Sequence, residues 1–553
     1  MNAGVRVVAS DLSMIVGEGT HILEGVSLTI SPGELIGIVG GSGAGKTTLL
    51  EALAGISPAG EGRVSFDGVD LYRNRSLFMT AIGYVPQDDI VHADLPLEQT
   101  LRYAARLRLP PDIPPEEVNR VVAGALSTLD LRERAGLHVG TLSGGQRKRS
   151  SIAVEMLTRP RVFFLDEPTS GLDPATAAEL LELLGRLADD GTTVVLTTHA
   201  VQDLSHCDRV AFLAPGGRLA FFGGVSDACA RFGVSSVEQV YSRLAAVGDL
   251  VTPAAAAGTP AVVEPETKTP PEVVSGPGPL RQWSVLTART METLVRNKLT
   301  IAILLGSPAM VVVMFAILFK AGAFDPRAPD PTNVLMILFW MTFGAFFFGL
   351  TYGLLQIVTE RAILRREYLA GIRLGPYLAS KITVLLPFLV VVVAMMVVAL
   401  RVLGRLPSAS LTTYGSVVVS LTLVAAAALT LGLLASAAVR NPSQATLVLP
   451  LLCFPAVLFS GAILPVHVMA AVGRWISVVV PVRWAFEAVG HDLGVRHLLT
   501  HGDSPLGRPL VESYGSAGLA ATGTYWVYLS VFTLAFFLGA WAILKRSLAR
   551  PTR

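Results

Sequence analysis

From residue 299 onward the chain carries six apolar stretches, at 299–319, 333–359, 377–403, 414–439, 444–465 and 523–544. Each is close to the ~20 residues that an α-helix needs to cross a hydrocarbon layer. Backbone at membrane depth must satisfy its own hydrogen bonds, so runs of this length and apolarity are read as helices. A wholly water-soluble fold is excluded, and residues 299–553 are expected to form an all-α, six-helix transmembrane domain. The spans contain few ionisable side chains, which argues against a proton relay or an ion pathway.

The remainder of the chain has a different character. Residues 1–298 hold 26 Lys and Arg against 34 Asp and Glu, whereas residues 299–553 hold 18 against 8. The first part reads as soluble and the second as membrane-embedded with basic flanks. A net charge of +2 over 553 residues gives no indication of nucleic-acid binding. Arg361, Arg365, Arg366, Arg373 and Lys381 crowd the connection 360–381, and Lys545, Arg546, Arg550 and Arg553 the tail. The positive-inside rule places that connection and both termini in the cytoplasm of a multi-pass protein of the cytoplasmic membrane. The first fifteen residues lack an apolar core of signal-peptide length. Cys207, Cys229 and Cys453 show no metal-site or disulfide spacing.

Residues 1–240 alternate short apolar runs with helical patterns, as in an α/β domain, with buried strands expected at 35–39, 162–165 and 194–197 and a helical insertion at 105–138. Residues 241–279, rich in Pro, Ala and Thr, are expected to be a disordered linker. Residues 280–298 set Trp283, Leu286, Met291, Leu294 and Val295 near helical spacing among arginines, the pattern of an amphipathic connecting helix at the membrane surface. Between the last two spans, residues 466–522 are expected to be external, with 478–489 a re-entrant or surface helix too short to span.

Gly40, Gly41, Ser42, Gly43, Ala44, Gly45, Lys46 and Thr47 form a G-x-x-x-x-G-K-[ST] loop between an apolar strand and an apolar helical start that opens with Thr48. Such a loop wraps phosphates with backbone N–H groups at a helix N-terminus. Lys46 would reach the β- and γ-phosphates and Thr47 would ligate Mg²⁺. A second strand ends in Asp166 and Glu167. Asp166 suits Mg²⁺, directly or through water, and Glu167 would orient or deprotonate an attacking water. Two acids after a strand also suit a helix cap; it is the company they keep that favours chemistry.

Leu142, Ser143, Gly144, Gly145 and Gln146 spell LSGGQ, and here the sequence resembles the ATP-binding cassette (ABC) family. The other family elements follow in order: Gln87 of Tyr84–Val85–Pro86–Gln87 as the Q-loop glutamine, Asp173 of Ser170–Gly171–Leu172–Asp173 in the D-loop, and His199 as the switch histidine. The resemblance implies a P-loop NTPase fold, ATP and Mg²⁺ as cofactors, and hydrolysis through Glu167, Gln87 and His199. Metal contacts would come from Thr47, Gln87 and Asp166. It also implies two cassettes meeting head to tail, each ATP held between residues 40–47 of one and 142–146 of the other. One complete motif set in this chain then means a half-transporter that pairs with a second copy of itself. The family usually stacks adenine on an aromatic residue ahead of the phosphate loop; residues 1–35 contain none, leaving Val16 or His21 to pack there.

Cassette first and six spans second resembles the ABCG (White-type) exporters, with a weak compositional suggestion of a bacterial member. The segment from Glu360 to Tyr368 resembles that family's coupling helix, and Glu98, Glu360 and Glu367 are the candidate coupling residues. Phe348 stands where the family clamps substrate, and Ala462 and Ile463 follow Phe459–Ser460–Gly461 where it places an apolar plug. Most aromatics of the second span are expected to face lipid. The implied activity is ATP-driven export of a lipid-like or hydrophobic substrate, with a non-transporting ATP-gated regulator or half of a heterodimer as alternatives.

Overall fold

The computed structural model describes residues 4–17, 19–246, 276–514 and 520–548. The chain divides into two compact units. The first runs to Arg281 and also includes Arg365–Ile372; the second comprises Gln282–Leu364 and Arg373–Arg550. Most of the expected linker at 241–279 lies outside the described residues.

The first unit contains strands β1 (Val7–Val16), β2 (Thr20–Ile30), β3 (Leu35–Gly40), β4 (Glu61–Phe66), β5 (Val69–Asp70), β6 (Ile82–Val85), β7 (Val162–Leu165), β8 (Thr193–Thr198), β9 (Arg209–Ala214) and β10 (Arg218–Gly223). Its helices are α1 (Lys46–Leu53), α2 (Arg75–Phe78), α3 (Leu97–Arg108), α4 (Pro115–Thr128), α5 (Gly144–Met156), α6 (Pro174–Asp189), α7 (Val225–Phe232) and α8 (Val237–Ala246). Helix α8 runs past residue 240, so the ordered fold extends beyond the boundary expected from composition.

One sheet is antiparallel, in the order β2-β1-β4-β5; the other has the order β10-β9-β3-β8-β7-β6. In the second, β9, β3, β8, β7 and β6 run parallel and β10 is antiparallel to β9. Every residue of β3, β7 and β8 is buried, which is why none of these strands carries a charged residue or alternates apolar with polar: helices cover both faces of a parallel sheet. Parallel strands share one carboxyl edge, and the loops after β3, β6, β7 and β8 all leave from it. The register pairs Val39 with Thr198, Leu165 with Leu196 and Val85 with Leu165, so those four strand ends lie side by side. Between β6 and β7 the chain is helical, as expected for 105–138.

The second unit is built on α9 (Pro279–Arg296), whose first turn precedes the unit boundary, followed by α10 (Lys298–Leu318), α11 (Pro331–Leu354) and α12 (Arg361–Leu369), which crosses into the Arg365–Ile372 segment of the first unit. Then come α13 (Leu374–Val402), α14 (Leu411–Ala438), α15 (Pro442–Leu458), α16 (Ala471–Val478), α17 (Pro481–Asp492), α18 (Val495–His501), α19 (Gly507–Tyr514) and α20 (Thr522–Leu548). Helices α11, α13, α14 and α20 are long and apolar enough to cross a membrane. The two other expected spans are also apolar helices: α10, 21 residues with Pro308 inside it, and the 17-residue α15. The fifth stretch is shorter than expected because the helix stops at Leu458, ahead of Gly461 with φ +80°. The expected short helix at 478–489 is α17, packed against α11, α14 and α20.

Helices α11 and α14 approach at glycines. A Cβ on Gly349 would stand 2.2 Å from the Ala425 carbonyl oxygen, and one on Gly353 2.3 Å from that of Leu429. From the other side, a Cβ on Gly432 would meet the Leu350 oxygen at 2.6 Å. Close backbone approach over small residues is how helices associate where apolar burial drives little. Phe339, Phe346 and Phe348 of α11 are buried in the core of this unit. The expectation that most aromatics of this span face lipid is therefore corrected; among the phenylalanines of α11, Phe347 is the exposed one. The apolar residues of α9 divide between two faces. Leu286 and Leu294 are buried beside Gln282, Val285 and Arg289, whereas Trp283, Met291 and Val295 are exposed on another face.

Candidate nucleotide site

The loop after β3 is shaped by its glycines. Gly43 and Gly45 take φ of +76° and +88°, conformations an L side chain resists. A Cβ on Gly45 would also stand 2.5 Å from the Ile22 carbonyl oxygen, whereas one on Gly41 or Gly43 would meet nothing within 4 Å. Gly41, Ser42 and Gly43 are solvent-exposed. The result is a rigid base under an open cradle, opening into α1 at Lys46, Thr47 and Thr48. Lys46 is buried and donates to the carbonyl oxygens of Gly40 and Gly41, both at 3.0 Å. Its ammonium is thus held at the loop it would share with phosphates, tied only by neutral acceptors that an anion can outcompete.

Thr47 Oγ1 donates to Asp166 Oδ1 at 3.1 Å, joining the loop to the end of β7. The same carboxylate oxygen accepts from Thr197 Oγ1 at 2.6 Å. Burial pushes the Asp166 carboxyl above the usual aspartate range; the Thr197 and Thr47 hydroxyls pull it back and the neighbouring Glu167 pushes it up again. A desolvated carboxylate beside a threonine hydroxyl is a hard, oxygen-only pair of the kind Mg²⁺ takes when phosphates and waters complete its shell. Among the described residues no group of three or more His, Cys, Asp or Glu side chains is arranged to hold a metal ion by itself, and Mg²⁺ bound with phosphate does not need one.

Glu167 sits at φ +43°, a strained conformation for a non-glycine residue. Its backbone N–H donates to Thr197 Oγ1 at 2.8 Å. Its carboxylate accepts from Gln87 Nε2 at 3.1 Å and lies 3.4 Å from His199 Nδ1. Gln87, Glu167 and His199, from three strand ends, thus meet on one carboxylate. It is the amide nitrogen of Gln87 that makes this bond, leaving the amide oxygen as the atom for a metal.

Thr197 was not among the residues expected from sequence, though it supports both acids; in the sequence it is one more residue of an apolar strand. Asp203 is a second such residue. It is buried and accepts from Thr198 Oγ1 and Thr169 Oγ1, each at 2.6 Å, linking the end of β8 beside His199 to the turn after Glu167. Lys148 is a third. Buried on α5, it donates to the Gln87 carbonyl oxygen at 2.5 Å and pairs with Asp89 at 3.1 Å.

Ser143 caps α5 in a reciprocal capping box with Gln146. With Gly144 open to solvent, it presents the helix N-terminus outward. Asp173 caps α6 by accepting from the Thr176 N–H at 3.0 Å, which holds its exposed carboxyl below the usual range. Val16 and His21 lie at the exposed tip of the β1–β2 hairpin, where Ile15, paired with His21, is exposed as well.

The expected coupling residues separate. Glu98 is paired with Arg102 one turn along α3, at 2.6 Å. Glu360 accepts from Lys381 Nζ at 2.7 Å and Tyr377 OH at 3.2 Å within the second unit. Glu367 is buried in the first. Phe348 is buried against Tyr352. Ala462 is buried, its N–H donating to Ser460 Oγ and its oxygen accepting from Tyr514 OH at 2.6 Å, while Ile463 is half exposed.

Residues 23–170 match the ABC transporter family, and residues 281–491 the ABC-2 type transporter family. The chain belongs to the ABC transporter family. Its order, cassette before membrane domain, is that of the ABCG type. The ABC transporter ATP-binding/permease protein Rv1747 of Mycobacterium tuberculosis is 34% identical over 485 residues, which cover 84% of this chain and 55% of that protein. ABC transporter G family member 28 of Arabidopsis thaliana is 36% identical over 255 residues, 44% of this chain and 22% of the plant protein. This ABC chain therefore spans about half the length of the first relative and less of the second. Among solved structures, cbiO1 from Clostridium perfringens, part of the ABC transporter complex cbiONQ, is 29% identical and covers 44% of this chain and 97% of its own, with a TM-score of 0.38.

Proposed function

We propose that this ABC chain hydrolyses ATP with Mg²⁺ and uses the cycle to export a lipid-like or amphipathic compound, working as a dimer of identical copies. The observation that carries the reading is the meeting of Lys46, Thr47, Asp166, Glu167, Gln87 and His199 at one sheet edge, in a chain that continues into an ABC-2 type membrane domain. In this reading the 40–45 loop and Lys46 bind the phosphates, and Thr47 and Asp166 hold Mg²⁺. Glu167 orients or deprotonates the attacking water, and Gln87 and His199 keep its carboxylate in place. When bound, Mg²⁺ neutralises charge on the phosphate oxygens. Ser143, Gly144, Gly145 and Gln146, with Asp173, complete the site of a second copy.

The membrane domain is proposed to cross six times, with the cassette and the basic 360–381 connection in the cytoplasm. The concentration of Arg361, Arg365, Arg366, Arg373 and Lys381 in that connection, against Lys320 and Arg327 in the connection 320–332, supports that orientation. Ile463, about half exposed, has the exposure expected of a residue that meets a partner copy, whereas Phe348 and Ala462 are buried within the single chain and are proposed to back the path rather than line it.

The test is ATPase activity of the full chain in lipid nanodiscs, with Glu167→Gln beside the unmodified protein and a panel of lipids and amphiphiles. Hydrolysis that the substitution abolishes and one lipid class stimulates supports the exporter. ATP binding without hydrolysis in the folded, unmodified chain overturns it and favours a regulatory role or a second, different half.

A further inference from the structure

Helix α5 is engaged at three points along its 13 residues. At its N-terminus stand Ser143 and Gln146. One turn on, Lys148 holds the Gln87 carbonyl oxygen. In its last turn Glu155 accepts a two-pronged pair of hydrogen bonds from Arg108 of α3, Nη1 at 2.8 Å and Nη2 at 2.9 Å. Arg366 Nε lies 3.7 Å from the same carboxylate, and all three side chains are less than a tenth exposed. Burial alone would weaken the Arg108 charge, but Glu155 and then Glu367 outweigh it, so the guanidinium stays firmly protonated. Two arginines and two glutamates therefore share one buried, charge-balanced cluster.

Arg366 belongs to the Arg365–Ile372 segment, which groups with the first unit although it lies in the chain between α11 and α13 of the second. The segment's seat is close. Gly371, at φ +98°, comes within 3.3 Å of Met79 for an added Cβ; Tyr368 lies within electrostatic reach of Arg75, and Arg365 of Tyr84 on β6. Buried ion pairs are weak sources of net stability, because desolvation offsets their attraction. A cluster like this does better at fixing which surfaces meet. A helix is stiff along its axis, so a displacement at Lys148, about two turns away, or at Ser143, about three turns away, reaches Glu155 without being absorbed.

We propose that Glu155 is a positioning residue that passes the state of the nucleotide site, sensed at both Ser143 and Lys148, to the 365–372 segment through Arg366, with Arg108 holding the carboxylate in line. This rests on the ATP-driven reading above. It adds Glu155 to Glu98, Glu360 and Glu367 as a candidate coupling residue.

The test uses the full chain in nanodiscs with Cys207 and Cys229 replaced by alanine, leaving Cys453 on α15 as a reporter for a membrane-permeant maleimide. Arg366→Met is the informative substitution, because Glu155 keeps its two-pronged pair with Arg108 and no buried carboxylate is orphaned. The expected result is retained ATP hydrolysis with loss of the nucleotide-dependent change in Cys453 labelling, and recovery of that change in Arg366→Lys. Hydrolysis with an undiminished labelling response in Arg366→Met overturns the inference alone. So does a parent chain that hydrolyses ATP with no labelling response. A parent chain that does not hydrolyse ATP overturns the transporter reading, and this inference with it.

Discussion

Thr197→Val removes one hydroxyl and almost no volume, yet that hydroxyl makes two bonds at the site. It donates to Asp166 at 2.6 Å and accepts the Glu167 N–H at 2.8 Å. A hydrogen bond to a charged group contributes about 1.5–3 kcal/mol, and a buried donor left unpaired costs about 1–3 kcal/mol. Asp166 keeps the Thr47 bond at 3.1 Å, so the two losses do not add in full, and a total near 3 kcal/mol is expected. For a unit of this size, each kcal/mol moves the melting temperature by roughly 2–4 °C, which gives a drop of roughly 6–12 °C. All six tryptophans lie beyond residue 282, so their fluorescence reports the membrane unit. A thiol-reactive dye on Cys207, in a chain carrying Cys229→Ser and Cys453→Ser, reports the cassette instead, because burial pushes that thiol up to about 12 and keeps it unreactive while folded. ATP hydrolysis should fall by at least about tenfold, since the bond that holds Glu167 at positive φ is gone and a barrier change of ~1.4 kcal/mol suffices. Thr197→Ser keeps the hydroxyl and should keep both properties. A Thr197→Val chain that melts with the parent and hydrolyses ATP at its rate would refute the view that this threonine organises the two acids.

Three further outcomes are expected. The Asp166 carboxyl is raised by burial, so its contribution to stability is present below the unfolded aspartate range and lost as pH rises through its own titration. Mg²⁺ with nucleotide should relieve that loss, making their thermal stabilisation grow with pH over this window, and Asp166→Asn should flatten the trend in a thermal-shift series. Gly45→Ala should prevent the loop from forming, given its positive φ and a Cβ only 2.5 Å from a carbonyl oxygen, whereas Gly41→Ala, with open space around it, should fold normally and weaken nucleotide binding; equal behaviour of the two by melting and by nucleotide titration would contradict the cradle geometry. Gly353→Leu should force α11 from α14, where even a Cβ would stand 2.3 Å from a backbone oxygen, and lower the yield of folded protein by size-exclusion chromatography; Gly344→Leu, facing only the Met396 sulfur at 3.9 Å, should be tolerated better.

Several elements were legible before any coordinates. The phosphate loop was, because Gly43 and Gly45 are needed for local backbone reasons. Four of the spans match helices long and apolar enough to cross a membrane. Which residues of α9 are buried was not legible, because helical spacing gives several faces and only packing selects one; here the chosen face includes Gln282 and Arg289. The α11 aromatics were misjudged for the same reason: lipid and the core of this unit are equally apolar surroundings, and only packing decides between them.

What the sequence by itself determined is whatever rests on chain-local physics: positive-φ glycines, caps, apolar length and the sign of charge beside each span. Only the tertiary structure decided that Gln87, Glu167 and His199 share one carboxylate, that Thr197 and Asp203 support them, and that Glu155 faces both Arg108 and Arg366. Those partners are set by strand order and by the seating of one short segment, which depend on burial summed over the whole unit. A buried charge is tolerated only where its counter-charge arrives, and that meeting point has no signature in the residues on either side of it.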